Sequence, residues 1–208
     1  MITFVLVIIA AIVGFITGRY RAHSIQNRGE ALLSRTIHGN FDSPDYHLMN
    51  HLTLPLKDGT TQIDHILVSK FGIFVIETKD YKGWIFANPK QATWTQVLFR
   101  QKFKFQNPIF QNLRHIRAVE ELLDFLPFGA VKSVVVFTGE AEFKTEVPSG
   151  VFDLASFVHH LRAQSSEVLS SNRVQFCVGR LETARLAMTR KTDVEHIQSL
   201  TRRHGGEV

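Results

Sequence analysis

Three residues within sixteen positions have types and spacing that could do chemistry: Asp64, Glu77 and Lys79. On an extended strand, residues two apart project to the same face, so Glu77 and Lys79 stand side by side. The run leading into them, Ile73-Phe74-Val75-Ile76, is wholly apolar. A carboxylate and an ammonium at the end of such a strand are costly unless they bind something. Asp64 lies on the preceding strand and is joined through Lys70-Phe71-Gly72, a tight turn that brings it alongside Glu77. Two converging carboxylates repel each other unless a cation sits between them. Hard oxygen ligands of this kind suit Mg²⁺ or Mn²⁺. A metal held there polarises a phosphodiester oxygen and lowers the pKa of a bound water. Lys79 then orients that water or neutralises charge developing on the phosphate. Taken alone, Glu-x-Lys is more often a surface ion pair that stabilises little. The Asp on a hairpin partner and the apolar lead-in set this one apart.

The elements that must position these residues follow from the pattern around them. Ser24 to about Thr36 reads as a short helix containing Glu30. Strands are expected at Tyr46–Leu56, Gln62–Ser69 and Ile73–Lys79, the last buried on both faces. Short β-like pieces follow around Trp84–Phe86 and Thr93–Phe99. Pro108 opens a helix running to about Leu126, with Ile109, Leu113, Ile116, Val119 and Leu123 on its apolar side. Val131–Thr138 is a further buried strand. Beyond Gly150, helices are expected at about Leu154–Gln164 and Thr183–Arg202, with a strand near Val174–Val178 between them. The order predicts an α/β domain.

The chain has 208 residues, of which 44% are hydrophobic and 21% charged, enough to bury a core and too apolar for a mainly disordered chain. A formal net charge of +5 fits an anionic partner, nucleic acid or acidic lipid. One cysteine, Cys177, excludes an internal disulfide and any cysteine-built zinc site; its apolar flanks mark it as a buried small hydrophobe. Residues Ile2 to Thr17 carry no charge and are followed by Arg19, Tyr20, Arg21 and Arg28. Basic residues that follow the apolar run, with no small-residue cleavage pattern, favour an uncleaved transmembrane anchor over a signal peptide. The positive-inside rule places everything after Arg19 in the cytoplasm, as the globular part of a single-pass membrane protein.

Asp64 followed by Glu77-Thr78-Lys79 after a turn resembles the PD-(D/E)xK signature of restriction-endonuclease-like nucleases. The wider stretch resembles the nuclease-related domain (NERD) family. The resemblance is carried by Gly29-Glu30, Gly59-Thr60-Thr61-Gln62-Ile63-Asp64-His65, Gly72 to Lys79, Tyr81-Lys82-Gly83-Trp84, Trp94, and Asn107-Pro108 with Gln111-Asn112 and His115. It covers roughly Asn27 to Thr138. It implies a restriction-endonuclease-like core, a mixed sheet flanked by helices, over residues 24–140. The anchor would take residues 1–20, and a small α/β extension of unknown role would take 150–208. By the same resemblance, Asp64 and Glu77 are metal ligands and Lys79 is the catalytic base or charge stabiliser. Glu30 would complete the metal site, and Gln111 would hold the attacking water or the scissile phosphate. His115 instead caps a strand or remains a polar surface residue, and His65, on the opposite face from Asp64, is structural. Ile63 stands where the signature's name implies Pro.

Phe99-Arg100-Gln101-Lys102-Phe103-Lys104-Phe105 alternates between aromatic and cationic residues. On a strand this presents Arg100, Lys102 and Lys104 on one face to a phosphate backbone, with Phe rings to stack on bases. The competing reading is an edge strand guarded by lysines. Two functions from different classes follow. One is a membrane-anchored, Mg²⁺-dependent phosphodiesterase acting on DNA, with RNA less favoured. The other is a non-catalytic module of the same fold that binds nucleic acid or a protein partner.

Overall fold

A computed structural model describes residues 28–41 and 44–186. The expected membrane helix and the expected helix end beyond 186 lie outside them. Among the described residues, no helix is long and apolar enough to cross a membrane.

The first element is helix α1 over 28–40. Strands β1 (Tyr46–Leu56), β2 (Gly59–Ser69) and β3 (Gly72–Lys79) follow as an antiparallel meander. Helix α2 (Pro108–Leu122) crosses to β7 (Val131–Phe137), which pairs parallel to β3. Strand β9 (Val151–Asp153) pairs parallel to β7, giving a five-stranded mixed sheet in the order β1-β2-β3-β7-β9. Within the β3–α2 connection, β4 (Gly83–Phe86), β5 (Thr93–Leu98) and β6 (Gln101–Gln106) form a second sheet. It is completed by β8 (Ala141–Phe143) in the order β6-β5-β4-β8. Helices α3 (Leu154–Arg162) and α4 (Ser171–Ala184) close the described chain.

Helices cover both faces of the large sheet, which is why Ile73 to Ile76 of β3 are all fully buried. Leu67, Phe74 and Ile76 pack with Leu33 and Ile37 of α1 and Phe157 and Leu161 of α3. On the other face, Ile66, Val68, Ile73 and Val75 pack with Ile116 and Val119 of α2 and Val174, Cys177 and Leu181 of α4. The segment expected as a strand near Val174–Val178 is therefore a helix. Val174, Cys177 and Leu181 recur at helical spacing on its buried side, and the Ser170 side chain caps it by accepting from Arg173 N–H. Cys177 is buried as expected.

Helix α2 departs from its apolar pattern in an informative way. Leu113, placed on the core side by periodicity, is 44% exposed. The buried face carries Asn112 and His115 alongside Ile116 and Val119, because polar groups of this helix reach into the sheet. Asn112 Nδ2 lies 2.9 Å from Val75 O, 3.0 Å from Val134 O and 3.0 Å from Ser133 Oγ, tying α2 to both β3 and β7. The helix begins where Asn107 accepts from Ile109 N–H with Pro108 in the first turn.

Candidate active site

Registers put Asp64 and Glu77 together. His65 pairs with Ile76 across β2 and β3, so Asp64 and Glu77 are the next residues on each strand. There the ladder gives way: Thr78 N–H donates to Asp64 Oδ2 at 2.8 Å, so a side chain takes the place of a strand carbonyl. The neighbouring strand is distorted at the same level. Met49 and Leu52 enter the same core cluster although three residues apart, as do Ile63 and Ile66. A regular pleat would send each pair to opposite faces. Between them lie His51, at φ 51°, and Asp64, the two residues that the β1–β2 register leaves out between the pairs Asn50–His65 and Leu52–Ile63. A non-glycine residue in the left-handed region stores local strain of a kind that clusters at functional sites.

Lys79, two residues beyond Glu77, sits on the same face, as the strand period requires. Its Nζ donates to Glu77 Oε1 at 2.6 Å and to Gln111 Oε1 at 3.0 Å. Glu77 Oε2 accepts from His115 Nε2 at 3.3 Å, and His115 Nδ1 lies 2.7 Å from the Thr61 hydroxyl. A carboxylate only accepts, so Nε2 carries the hydrogen; in the neutral ring Nδ1 then accepts from Thr61. Gln111 and His115 are one helical turn apart and approach Lys79 and Glu77 together. Glu30, on α1, is 3.1 Å from His51 Nδ1. Gly29 lets α1 start this close, since a Cβ there would stand 2.5 Å from Thr138 Oγ1 and 2.7 Å from Asp80 Cβ.

The electrostatics separate the two carboxylates. Burial, then the charges of Glu77 and Glu30, push Asp64 well above the usual carboxylate range. Burial also pushes Glu77 upward, but His115 and Lys79 outweigh it and hold Glu77 low. For Lys79, burial works against the ammonium and the Glu77 carboxylate more than restores it. His65 is pushed down to about 3 by burial and by His51, and its Nδ1 meets Asn50 Oδ1 at 2.7 Å. It is a neutral, buried side chain bonded to the neighbouring strand.

Asp64, Glu77, Lys79 and Gln111 thus come together, with Glu30 close enough to act on Asp64. The donors fit a hard divalent ion. Asp64 is a carboxyl whose ionisation its neighbours oppose, and the nearby acids supply oxygen. Among the described residues no three His, Cys, Asp or Glu side chains converge as a ready ligand set. Mg²⁺ commonly takes one or two carboxylates and completes its shell with water and phosphate. Two polar partners take roles that sequence alone does not assign. His115, expected to cap a strand or lie on the surface, is buried and bonded to Glu77 and Thr61, and its one-turn spacing from Gln111 is a usable signal. His51 gave none, because nothing in its type announces a positive φ.

The basic strip is divided. Arg100 lies in the β5–β6 turn rather than on the strand. Lys102 and Lys104 are exposed on β6, whereas Phe105 turns to the other face and packs against Tyr81 and Trp94. Arg100, Lys102 and Lys104 therefore do not form one row.

Residues 25–138, more than half of the chain, match the nuclease-related domain family. An uncharacterized protein of Bacillus anthracis is 45% identical over 97 residues, a stretch covering 46% of this chain and 45% of that protein. The match spans less than half of either, and no solved structure matches the chain. Glu30, Asp64, Glu77, Lys79 and Gln111 all fall inside the matched region, and the chain belongs to the nuclease-related domain family.

Proposed function

We propose that this chain is a Mg²⁺- or Mn²⁺-dependent nuclease that hydrolyses phosphodiester bonds in DNA, with RNA less favoured, from a membrane-anchored position. The observation that carries the reading is the meeting of Glu77, Lys79 and Gln111 at the end of β3, with Asp64 held beside them. Asp64 and Glu77, supported by Glu30, would hold the metal. When bound, the ion would supply Lewis-acid polarisation of the phosphodiester and activation of water.

The chain's own groups take the remaining tasks. Lys79 stays charged through its contact with Glu77, which favours stabilising charge on the phosphate over accepting a proton. Gln111, already within reach of Lys79, would orient water or a phosphate oxygen. His115 fixes Glu77 from behind and leaves its other oxygen turned towards Lys79. The anchor rests on the uncharged stretch Ile2–Thr17 and the arginines after it, which favour a cytoplasmic globular part. A reporter that works only in the cytoplasm, fused after Val208, checks that orientation.

The deciding experiment incubates the protein with plasmid DNA, linear DNA and RNA, with Mg²⁺, Mn²⁺ or chelator. Metal-dependent cleavage that disappears in Asp64→Asn is expected. A folded parent that binds DNA and cleaves nothing with any divalent metal gives the non-catalytic binding module instead.

A further inference from the structure

We propose that the outer face of the small sheet binds single-stranded nucleic acid by stacking unpaired bases on Trp84 and Phe86. This deepens the nuclease reading of the Asp64–Glu77–Lys79 site by naming its substrate class, and it rests on that reading.

The register builds the face. Trp84 pairs with Val97 and Val97 with Lys102; Phe86 pairs with Thr95 and Thr95 with Lys104. Paired residues share a face, so two rungs cross the sheet, each with a ring on β4 and an ammonium on β6. Two residues along a strand separate the rungs by roughly 7 Å, and two strand spacings put the backbone of each lysine roughly 10 Å from that of its aromatic partner. The opposite face is the packed one, where Ile85, Trp94 and Phe105 meet Phe137 and Val151. Trp84 is nevertheless 48% exposed and Phe86 40% exposed.

Lysines on β6 alone would be explained as guards of an edge strand. That account leaves two large rings on the solvent face of an inner strand without a reason. Rings interleaved with cations are what a single strand needs: flat surfaces for bases and charge for the backbone. Lys144 Nζ stands over the Trp84 ring, 4.8 Å from its centroid, and is paired with Glu142 beside it in the register, so a base stacking on that side of the ring takes the place of this cation contact. A duplex offers no free base faces, so these rings discriminate against it. Only Asp80-Tyr81-Lys82 separate Lys79 from β4, so the strand that carries both rings begins three residues after the candidate active site.

The test uses the full chain in detergent, with chelator present so that nothing is cleaved. Binding of an oligo(dT) strand and of a duplex of equal length is followed by anisotropy and by tryptophan emission. The chain has 2 Trp, and Trp94 is buried, so quenching reports Trp84. Single strand should bind more tightly than duplex and quench the emission. Trp84→Ala should weaken single-strand binding at least about fivefold, the low end for one stacked base. Lys102→Ala with Lys104→Ala should flatten the logarithmic salt dependence by about 1.4, at about 0.7 per lost contact. Thermal melts confirm that each variant is folded. Equal affinity for duplex, or an unchanged Trp84→Ala variant, overturns the proposal. So does a folded chain that binds neither, which would give the face to a protein partner. Single-strand binding with quenching but no cleavage in Mg²⁺ or Mn²⁺ removes the nuclease reading and leaves this inference standing. Cleavage with no single-strand preference does the reverse.

Discussion

Lys79→Met keeps the alkyl stem and deletes only the ammonium. The charge it removes sits 2.6 Å from Glu77 Oε1, with the two side chains 13% and 3% exposed. At an effective dielectric near 20, that separation corresponds to about 6 kcal/mol of attraction, much of it offset by desolvation. Removing one partner of a buried pair costs roughly 3–5 kcal/mol. His115 still donates to Glu77 Oε2 at 3.3 Å, so the lower end applies. For a chain of this size, about 3 kcal/mol lowers the thermal midpoint by roughly 6–12 °C. The pH dependence has a definite sign. Glu77 is held low, so its contribution is present above the ordinary carboxylate range and fades as pH falls through its folded value. Lys79 is held high, so its contribution is present below the ordinary lysine range and fades as pH rises through its folded value. The gap between parent and variant should therefore be widest between those ranges and, on the acid side, close only as pH falls below the ordinary carboxylate range, through the lowered folded value of Glu77. Cleavage, assayed well below both midpoints, should fall by about 10²–10³-fold. A variant as stable as the parent at neutral pH would refute the buried-pair reasoning. One that cleaves within tenfold of the parent would refute the role given to Lys79.

Asp64→Asn should do the opposite to stability while also abolishing cleavage, since an amide keeps an acceptor for Thr78 N–H and loses the opposed charge. A raised carboxyl gives stability that is full below about pH 3.9 and lost as pH rises through the folded value. The variant's advantage, about 0.5–2 kcal/mol near neutrality, should thus grow upward from about pH 4 in paired melts. Gly29→Val should force α1 off Thr138 and Asp80, cost about 1–3 kcal/mol and reduce cleavage through Glu30, read by melts and a metal titration. Asn112→Ala should leave the carbonyls of Val75 and Val134 without this donor and cost about 2–3 kcal/mol, measured by denaturant unfolding.

The large sheet was legible because its signals are local and redundant. Strand β1 over Tyr46–Leu56 ends at a Lys-Asp-Gly turn, and β3 is an unbroken apolar run. The Asp64, Glu77 and Lys79 set followed from period and turn length. What failed did so for tertiary reasons. Val174–Val178 is short and apolar, a pattern a strand and a helix share, and packing against Leu52 and Ile66 decided for the helix. Leu113 was misplaced because Asn112 and His115 took the buried side of α2 for hydrogen bonds that periodicity does not weigh. Arg100 was misplaced by a turn that no glycine or proline marks. The tip carries Phe99 at φ 55° and 94% exposed, a conformation its type does not announce.

The site also shows why fold and chemistry pull against each other at the end of β3. Four buried residues in sequence make β3 the centre of the sheet, and its rigidity fixes Glu77 and Lys79 to within a side-chain rotamer. The cost falls on Asp64. Its strand leaves the ladder, its neighbour across the sheet adopts a positive φ, and its carboxyl is opposed by two others. Glu77 and Asp64 are consequently driven in opposite directions by one environment, the first kept ionised by His115 and Lys79, the second inclined to hold a proton. A structural ion pair has no use for that second carboxyl, whose charge Thr78 N–H and Lys79 offset only in part, and Glu77, Lys79, Gln111 and His115 would satisfy one another without it. Its presence beside a completed pair is the feature that favours the proposed cation-receiving site over a pair that only neutralises itself.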